Sequence, residues 1–350
     1  MISSECVFRI ERETMMKITM KEIAELAKVS QPTVSRVING NKTVNEEAAK
    51  RVLKVIEEVG FIPNKAAQTL KRSRSNTIGV SITETYNPYF VELIDHLEGV
   101  ARKNGFSILL HNSNRNPILE WENVQNFIAR QVDGMIIIPT GEYNIERISK
   151  LSIPSVVMTQ NRKHLDSVGL DHVFAGKMVA EKFIHLGHKS FAFIGTKPSD
   201  DKFYGFKSAI IENGFHFDEN QFIPLEESSV NNFLMRRDIE NYLNKVGNNI
   251  DFTCVFAAND IIALEFIKAA SERGINVPDD IIVVGFDDTY LAKIMGISSI
   301  HQPIDEMVKT TFDLLMDRLE NEVHPEPIQI KLKPTLIERN SYLNVFLTQK

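Results

Sequence analysis

Cysteine is nearly absent from this chain. Cys6 and Cys254 are the two among 350 residues, and they lie far apart. That argues against a disulfide framework and against a cysteine-based metal cluster. The two are read as a tail thiol and a buried strand thiol, which fits a reducing cytoplasm. No apolar run approaches the ~20 residues that span a bilayer, and no secretion-signal core is seen near Met1. Catalytic signatures are missing too: there is no GxSxG, no HExxH, no P-loop and no GxGxxG after a strand. His185 and His188 at a helix end have no Cys/His cluster near them. They are read as favourable helix-terminal residues, and no metal or cofactor is assigned.

What is present is ordinary globular composition over a length that accommodates two or three domains with sizeable cores. The net charge of −6 argues at first against nucleic acid. Its distribution reverses that: Lys17–Ser75 carries +6, with twelve basic and six acidic residues, while residues 76–350 carry −11. A basic head on an acidic body suits a chain of which one module meets polyphosphate. Residues 1–14 show no periodicity and are read as a tail or an upstream start chosen in error. No function is assigned to them.

The head reads as three helices. Thr19 and Glu22 form a capping box, followed by an apolar face of Ile23, Ala24, Leu26 and Ala27. Ser30 is placed to N-cap a second helix, where Pro32 is tolerated in the first turn. Val34, Val37 and Ile38 point inward, which leaves Gln31, Pro32, Thr33, Ser35 and Arg36 on the outer face, and Asn39-Gly40 ends the helix. A third helix runs from about Asn45 to Val59, with Ala48, Val52, Val55, Ile56 and Val59 buried and Gly60 as its stop. These are the parts of a helix-turn-helix module, and the outer side chains suit base edges in a major groove. The alternative is a small bundle with a solvated face.

Next comes Phe61-Ile-Pro-Asn64, where Asn64 opens a short basic segment with Lys65, Ala67, Leu70 and Lys71. It has too few apolar residues to fold alone and is expected to order on a partner. Leu70 is placed to wedge a minor-groove base step, or else is a linker leucine.

Val29-Ser30, Thr33-Val-Ser-Arg-Val37, Asn39 and Ile62-Pro-Asn64 with Ala67 and Leu70 appear in the order typical of one family. In these runs the chain resembles the LacI/GalR family of bacterial transcription regulators. The resemblance implies that Thr19, Ser30, Gln31, Pro32, Thr33, Ser35, Arg36, Asn39, Asn64, Ala67, Leu70 and Lys71 meet DNA.

From Asn76 strands alternate with helices of 10–15 residues, twice over, which predicts two doubly wound parallel sheets with a cleft between them. The fold class is therefore α/β with an all-α head. Expected boundaries are a tail at 1–16, a helix-turn-helix domain at 17–62, a hinge at 63–75 and a core at 76–350. One lobe of the core is expected at about 76–172 plus 303–332, the other at about 173–302 plus 333–345.

Ligands bind outside the carboxyl ends of such strands. There the chain places Asn259-Asp260, Asp287-Asp288, Gln302, Lys202 and Tyr89-Phe90. Carboxylates and amides suit sugar hydroxyls, and rings stack on their C–H faces. Singly, each acidic or amide residue would serve equally as a helix cap. Asn87-Pro-Tyr-Phe90, His185-Leu-Gly-His188, Ala258-Asn-Asp260 and Val283-Val-Gly-Phe-Asp-Asp288 extend the family resemblance over the body. It implies two periplasmic-binding-protein-like lobes in a homodimer, a near-palindromic operator and effector contacts at Tyr89, Phe90, Asp171, Lys202, Phe233, Asn259, Asp287 and Gln302. Where the family has arginine, this chain has Lys202, a point charge without a planar fork, which points toward an acidic sugar. The competing reading is a sugar-binding protein or sugar enzyme with an accessory helical head.

Overall fold

The computed structural model describes residues 18–38, 43–61, 74–196, 200–227, 234–247, 250–321 and 326–342. The expected sites at Asn39, Asn64, Ala67, Leu70, Lys71 and Phe233 lie outside them. The chain divides into two compact units, Met1–Ser75 and Asn76–Lys350.

The first unit contains α1 (Met20–Leu26), α2 (Gln31–Ile38) and α3 (Glu46–Val59). Local chemistry sets its boundaries. Thr19 Oγ1 accepts from the Glu22 amide at 3.3 Å, and the Thr19 amide donates to Glu22 Oε2 at 2.7 Å. The Asn45 side chain caps α3, and Gly60 closes it in the left-handed conformation at φ 61°. Ile23, Ala24, Ala27, Val34 and Val52 form the buried centre of the bundle. Leu26 departs from the expected face: it is 59% exposed. A bundle this small covers only the stripe through Ile23, Ala24 and Ala27, and Leu26 lies outside that stripe.

The second unit begins with β1 (Thr77–Ile82), α4 (Pro88–Lys103), β2 (Ser107–Asn112), α5 (Pro117–Ala129), β3 (Gly134–Ile137), α6 (Ile145–Ser149), β4 (Ser155–Thr159) and β5 (Asp166–Leu170). Then come α7 (His172–His185), β6 (Phe191–Gly195), α8 (Asp201–Glu212), β7 (Phe222–Pro224), α9 (Met235–Val246) and β8 (Cys254–Ala257). It continues through α10 (Asp260–Ser271), β9 (Ile282–Asp287), α11 (Tyr290–Met295), β10 (Ser298–His301), α12 (Ile304–Glu320), β11 (Gln329–Leu332) and β12 (Thr335–Ile337).

These strands make two six-stranded sheets, ordered β11-β5-β4-β3-β1-β2 and β12-β10-β9-β8-β6-β7. The first is parallel throughout, and the second is parallel except where β12 pairs antiparallel with β10. Each sheet with its helices is one lobe. The chain passes from the first lobe to the second after β5, returns to the first through α12 and β11, and crosses back to the second at β12. Cys254 is a free, buried thiol on β8.

The alternation pattern predicts the long helices and the apolar strands but not β5, whose sequence DSVGL opens on a charge. Tertiary pairing makes that charge acceptable. Arg318 Nη2 on α12 donates to Asp166 Oδ1 at 2.8 Å, and the Ile328 amide donates to the same oxygen at 2.7 Å.

Candidate functional site

In the head, Gln31, Pro32 and Arg36 of α2 are exposed, and Thr33 and Ser35 are half-buried. Val34 on the opposite face is fully buried, so packing turns the polar face outward. Ser30 Oγ lies 2.8 Å from Thr33 Oγ1, and the Ser30 carbonyl accepts from the Thr33 and Val34 amides. Thr19 is exposed at the start of α1.

In the body, a cavity of about 530 Å³ opens at the carboxyl ends of the strands and is lined from both lobes. Tyr89, Phe90, Lys202, Asn259, Asp287 and Gln302 meet there. Asp171 does not: its carboxylate caps α7 by accepting from the Phe174 amide at 3.0 Å, and its neighbour His172 lines the cavity instead. A hollow of about 570 Å³ at the amino ends of β8 and β9 lies on the wrong side of the sheet for a ligand site of this fold.

Asp287 is the hub. Its φ of 106° and the φ of 53° at Asp288 send the two carboxylates different ways. Asp287 Oδ2 accepts from Asn87 Nδ2 at 3.0 Å and Oδ1 from Gln302 Nε2 at 2.7 Å. Asp288 instead accepts from Arg339 Nη2 at 2.6 Å and lies 3.0 Å from His301 Nδ1. Burial alone would raise the Asp288 pKa; the bonds from His301 and Arg339 prevail and hold it below the usual range. For Asp287, burial and the nearby charge of Asp260 push the carboxyl up, against the pull of Lys202.

Asp260 does not line the cavity. Ser299 Oγ, the Thr289 amide and Thr289 Oγ1 all donate to it, so it knits β10 and the start of α11 to α10. Asn259 lines the cavity while its Oδ1 accepts from the Ile262 amide at 2.9 Å, so the cap and the site coincide.

Lys202 stands on the first turn of α8. Its Nζ donates to the Ala258 carbonyl at 3.0 Å, lies 3.5 Å from Asp200 Oδ2 and sits 4.5 Å above the Phe286 ring. The charge that suggested an acidic sugar is therefore already paired, with 15% of the side chain exposed. His172 packs edge-on against Phe286, and burial followed by the charge of Lys202 lowers its pKa to about 4.

The first lobe adds residues that motif reading missed. Arg115 grips Glu84 with two hydrogen bonds, and both line the cavity. Glu120, fully buried, accepts from the Thr140 amide at 2.6 Å and from Asn144 Nδ2 at 2.9 Å. It thereby fixes the loop that presents Thr140 and Tyr143 to the cavity. Thr140 Oγ1 is among the buried polar atoms of the described residues that make no hydrogen bond. An acidic residue within an apolar helical repeat, as at Glu120, is the one sequence signal that could have found this support.

A helix-turn-helix module followed by two α/β lobes with a cavity between them defines a class of bacterial DNA-binding regulators. Residues 19–64 match the bacterial regulatory proteins of the lacI family, and residues 180–342 match the periplasmic binding protein-like domain. Catabolite control protein A of Priestia megaterium is 31% identical over 320 residues, covering 88% of this chain and 94% of that protein. The lac repressor dimer bound to operator and the anti-inducer ONPF shares the fold, with TM-score 0.77, 23% identity and coverage of 93% of this chain and 99% of that one. The CelR–cellobiose complex does so with TM-score 0.65, 24% identity, and coverage of 93% and 99%. The chain belongs to the lacI family of bacterial regulatory proteins and is a DNA-binding transcriptional regulator. No helix of the described residues is long and apolar enough to cross a membrane.

Proposed function

We propose that this protein is a homodimeric repressor of carbohydrate-metabolism genes, controlled by a neutral polyhydroxylated effector in the inter-lobe cavity. The supporting observation is the state of charge in that cavity. Its cations are engaged, Arg115 by Glu84 and Lys202 by Asp200, while amides, a carboxylate and the unbonded Thr140 hydroxyl converge on the same space. Paired charges attract an acidic sugar weakly, whereas hydroxyls can bridge carboxylate and amide edges. The relatives support the class: one is a catabolite control protein and another was solved with cellobiose.

Two heads on one dimer would read a near-palindromic operator through Gln31, Pro32, Thr33, Ser35 and Arg36. Effector binding would shift the lobes and, by linkage, alter operator affinity. Operator selection from a random DNA pool, followed by shift assays at moderate salt, tests the regulator reading. A protein that binds no sequence better than bulk DNA, with or without sugars, sinks it. Titration calorimetry with neutral and acidic sugars tests the ligand class, and binding of acidic sugars alone overturns it.

A further inference from the structure

Residues Tyr86–Glu92, in the loop after β1 and the first turns of α4, reach from the first lobe to the second in three ways. Tyr86 packs against the hydrophobic core of the second lobe. Asn87 Nδ2 donates to Asp287 Oδ2 at 3.0 Å. Glu92 Oε1 accepts from the Tyr290 amide at 2.8 Å, which satisfies an orphan donor at the first turn of α11.

The middle contact has a special geometry. Asn87 Oδ1 accepts from the Tyr89 amide at 3.1 Å, so flipping the amide would break the cap of α4. Gln302 Oε1 accepts from Tyr89 OH at 3.1 Å, so its amide is locked as well. Both residues must present N–H to Asp287, and each carboxylate oxygen has a protein donor. Asp287 is 6% exposed, and Asn87 lines the cavity beside it.

We propose that Asn87 and Asp287 form a latch that holds the two lobes together until a ligand hydroxyl displaces Asn87 from the carboxylate. The displacement rests on the sugar-binding reading above; the latch does not. Entry of the effector would then break a lobe-to-lobe bond at the N-terminus of α4 as it makes a ligand bond. The coupling of ligand to lobe movement would arise at that one hydrogen bond.

The test uses ligand-free, full-length protein with Cys6→Ser and spin labels at Ile118→Cys and Tyr204→Cys, positions 68% and 64% exposed on the first and second lobes. The buried Cys254 is left in place. Labelled chains are diluted with unlabelled ones, and pulsed EPR gives the distance between lobes. Asn87→Ser keeps an oxygen for the cap but is too short to reach Asp287. Asp287→Gly removes the carboxylate and tolerates the positive φ; should it fail to fold, Asp287→Ser, too short to reach Asn87, replaces it. Each single variant is expected to lengthen and broaden the distance distribution, and the double variant to move no further than the larger single. An unchanged distribution in either single variant, or a double variant that moves by the sum, overturns the latch. Because no sugar is present, this result is independent of whether the cavity binds one.

Discussion

Arg115 and Glu84 form a part-buried, two-pronged ion pair on the cavity wall, Nε to Oε2 at 2.7 Å and Nη2 to Oε1 at 2.8 Å. Glu84 is 2% exposed and Arg115 34%. The pair keeps a guanidinium at the site without leaving its charge uncompensated.

Glu84→Gln should therefore release a cation into the cavity. Acidic sugars are expected to gain affinity relative to neutral ones, read by calorimetry. Stability should fall by about 1–2 kcal/mol, less than for a fully buried pair because Arg115 reaches solvent. A variant whose preference between neutral and acidic ligands is unchanged would show that the pair does not set selectivity.

The approach of α7 and α8 leaves no space for a side chain at two glycines. A Cβ at Gly205 would lie 2.0 Å from the Val173 carbonyl oxygen, and one at Gly176 the same distance from that of Lys202. Gly205→Ala should lower stability by about 1–3 kcal/mol or more, because the obstacle is backbone. It should also weaken ligand binding, since α8 carries Lys202. Denaturant melts check the first effect; a wild-type midpoint would refute it.

His172 gives the body an acid-side sensitivity. Its folded pKa is depressed from 6.5 to about 4, so the unfolded chain takes up the proton first as pH falls. The contribution of His172 is complete above pH ~6.5 and is lost between there and pH ~4, by no more than about 3 kcal/mol. Thermal melts across that range should show a shallower pH slope for His172→Gln. Parallel slopes in the two proteins would contradict this.

At the head, Gln31→Ala is expected to relax base preference at one operator position by about 1–3 kcal/mol while leaving bulk-DNA binding intact. Leu70→Ala should weaken specific operator binding far more than effector binding. Equal loss of both would contradict the wedge role, and shift assays beside calorimetry separate the two.

Sedimentation of the full chain should give a dimer, the assembly in which two heads reach the two halves of a near-palindromic operator. A stable tetramer would count against that expectation.

The parts of the fold that short-range chemistry sets were legible in the residues. Thr19 with Glu22, Asn45 with Gly60, and the apolar runs of β3, β4 and β9 act within a few positions of themselves. Where structure departs from local pattern, the deciding partner is distant. Leu26 was expected inside and lies outside. The β5 strand was invisible because Asp166 waits for Arg318, 152 residues further on. Acidic residues at strand ends read alike, yet Asp260 and Asp288 are held away from the cavity, whereas Asp287, held by Asn87 and Gln302, lines it.

By itself, then, the order of residues determined a basic three-helix head, two α/β lobes and a polar site at the strand ends, because periodicity, capping and charge segregation are properties of neighbours in the chain. Tertiary structure alone decided which of the site's charges are already paired. It set Glu84 against Arg115 and Lys202 against Asp200, and it joined Asn87 to an acceptor 200 residues away. Electrostatics and hydrogen bonding fall off steeply with distance, so they follow the folded contacts rather than the spacing along the chain.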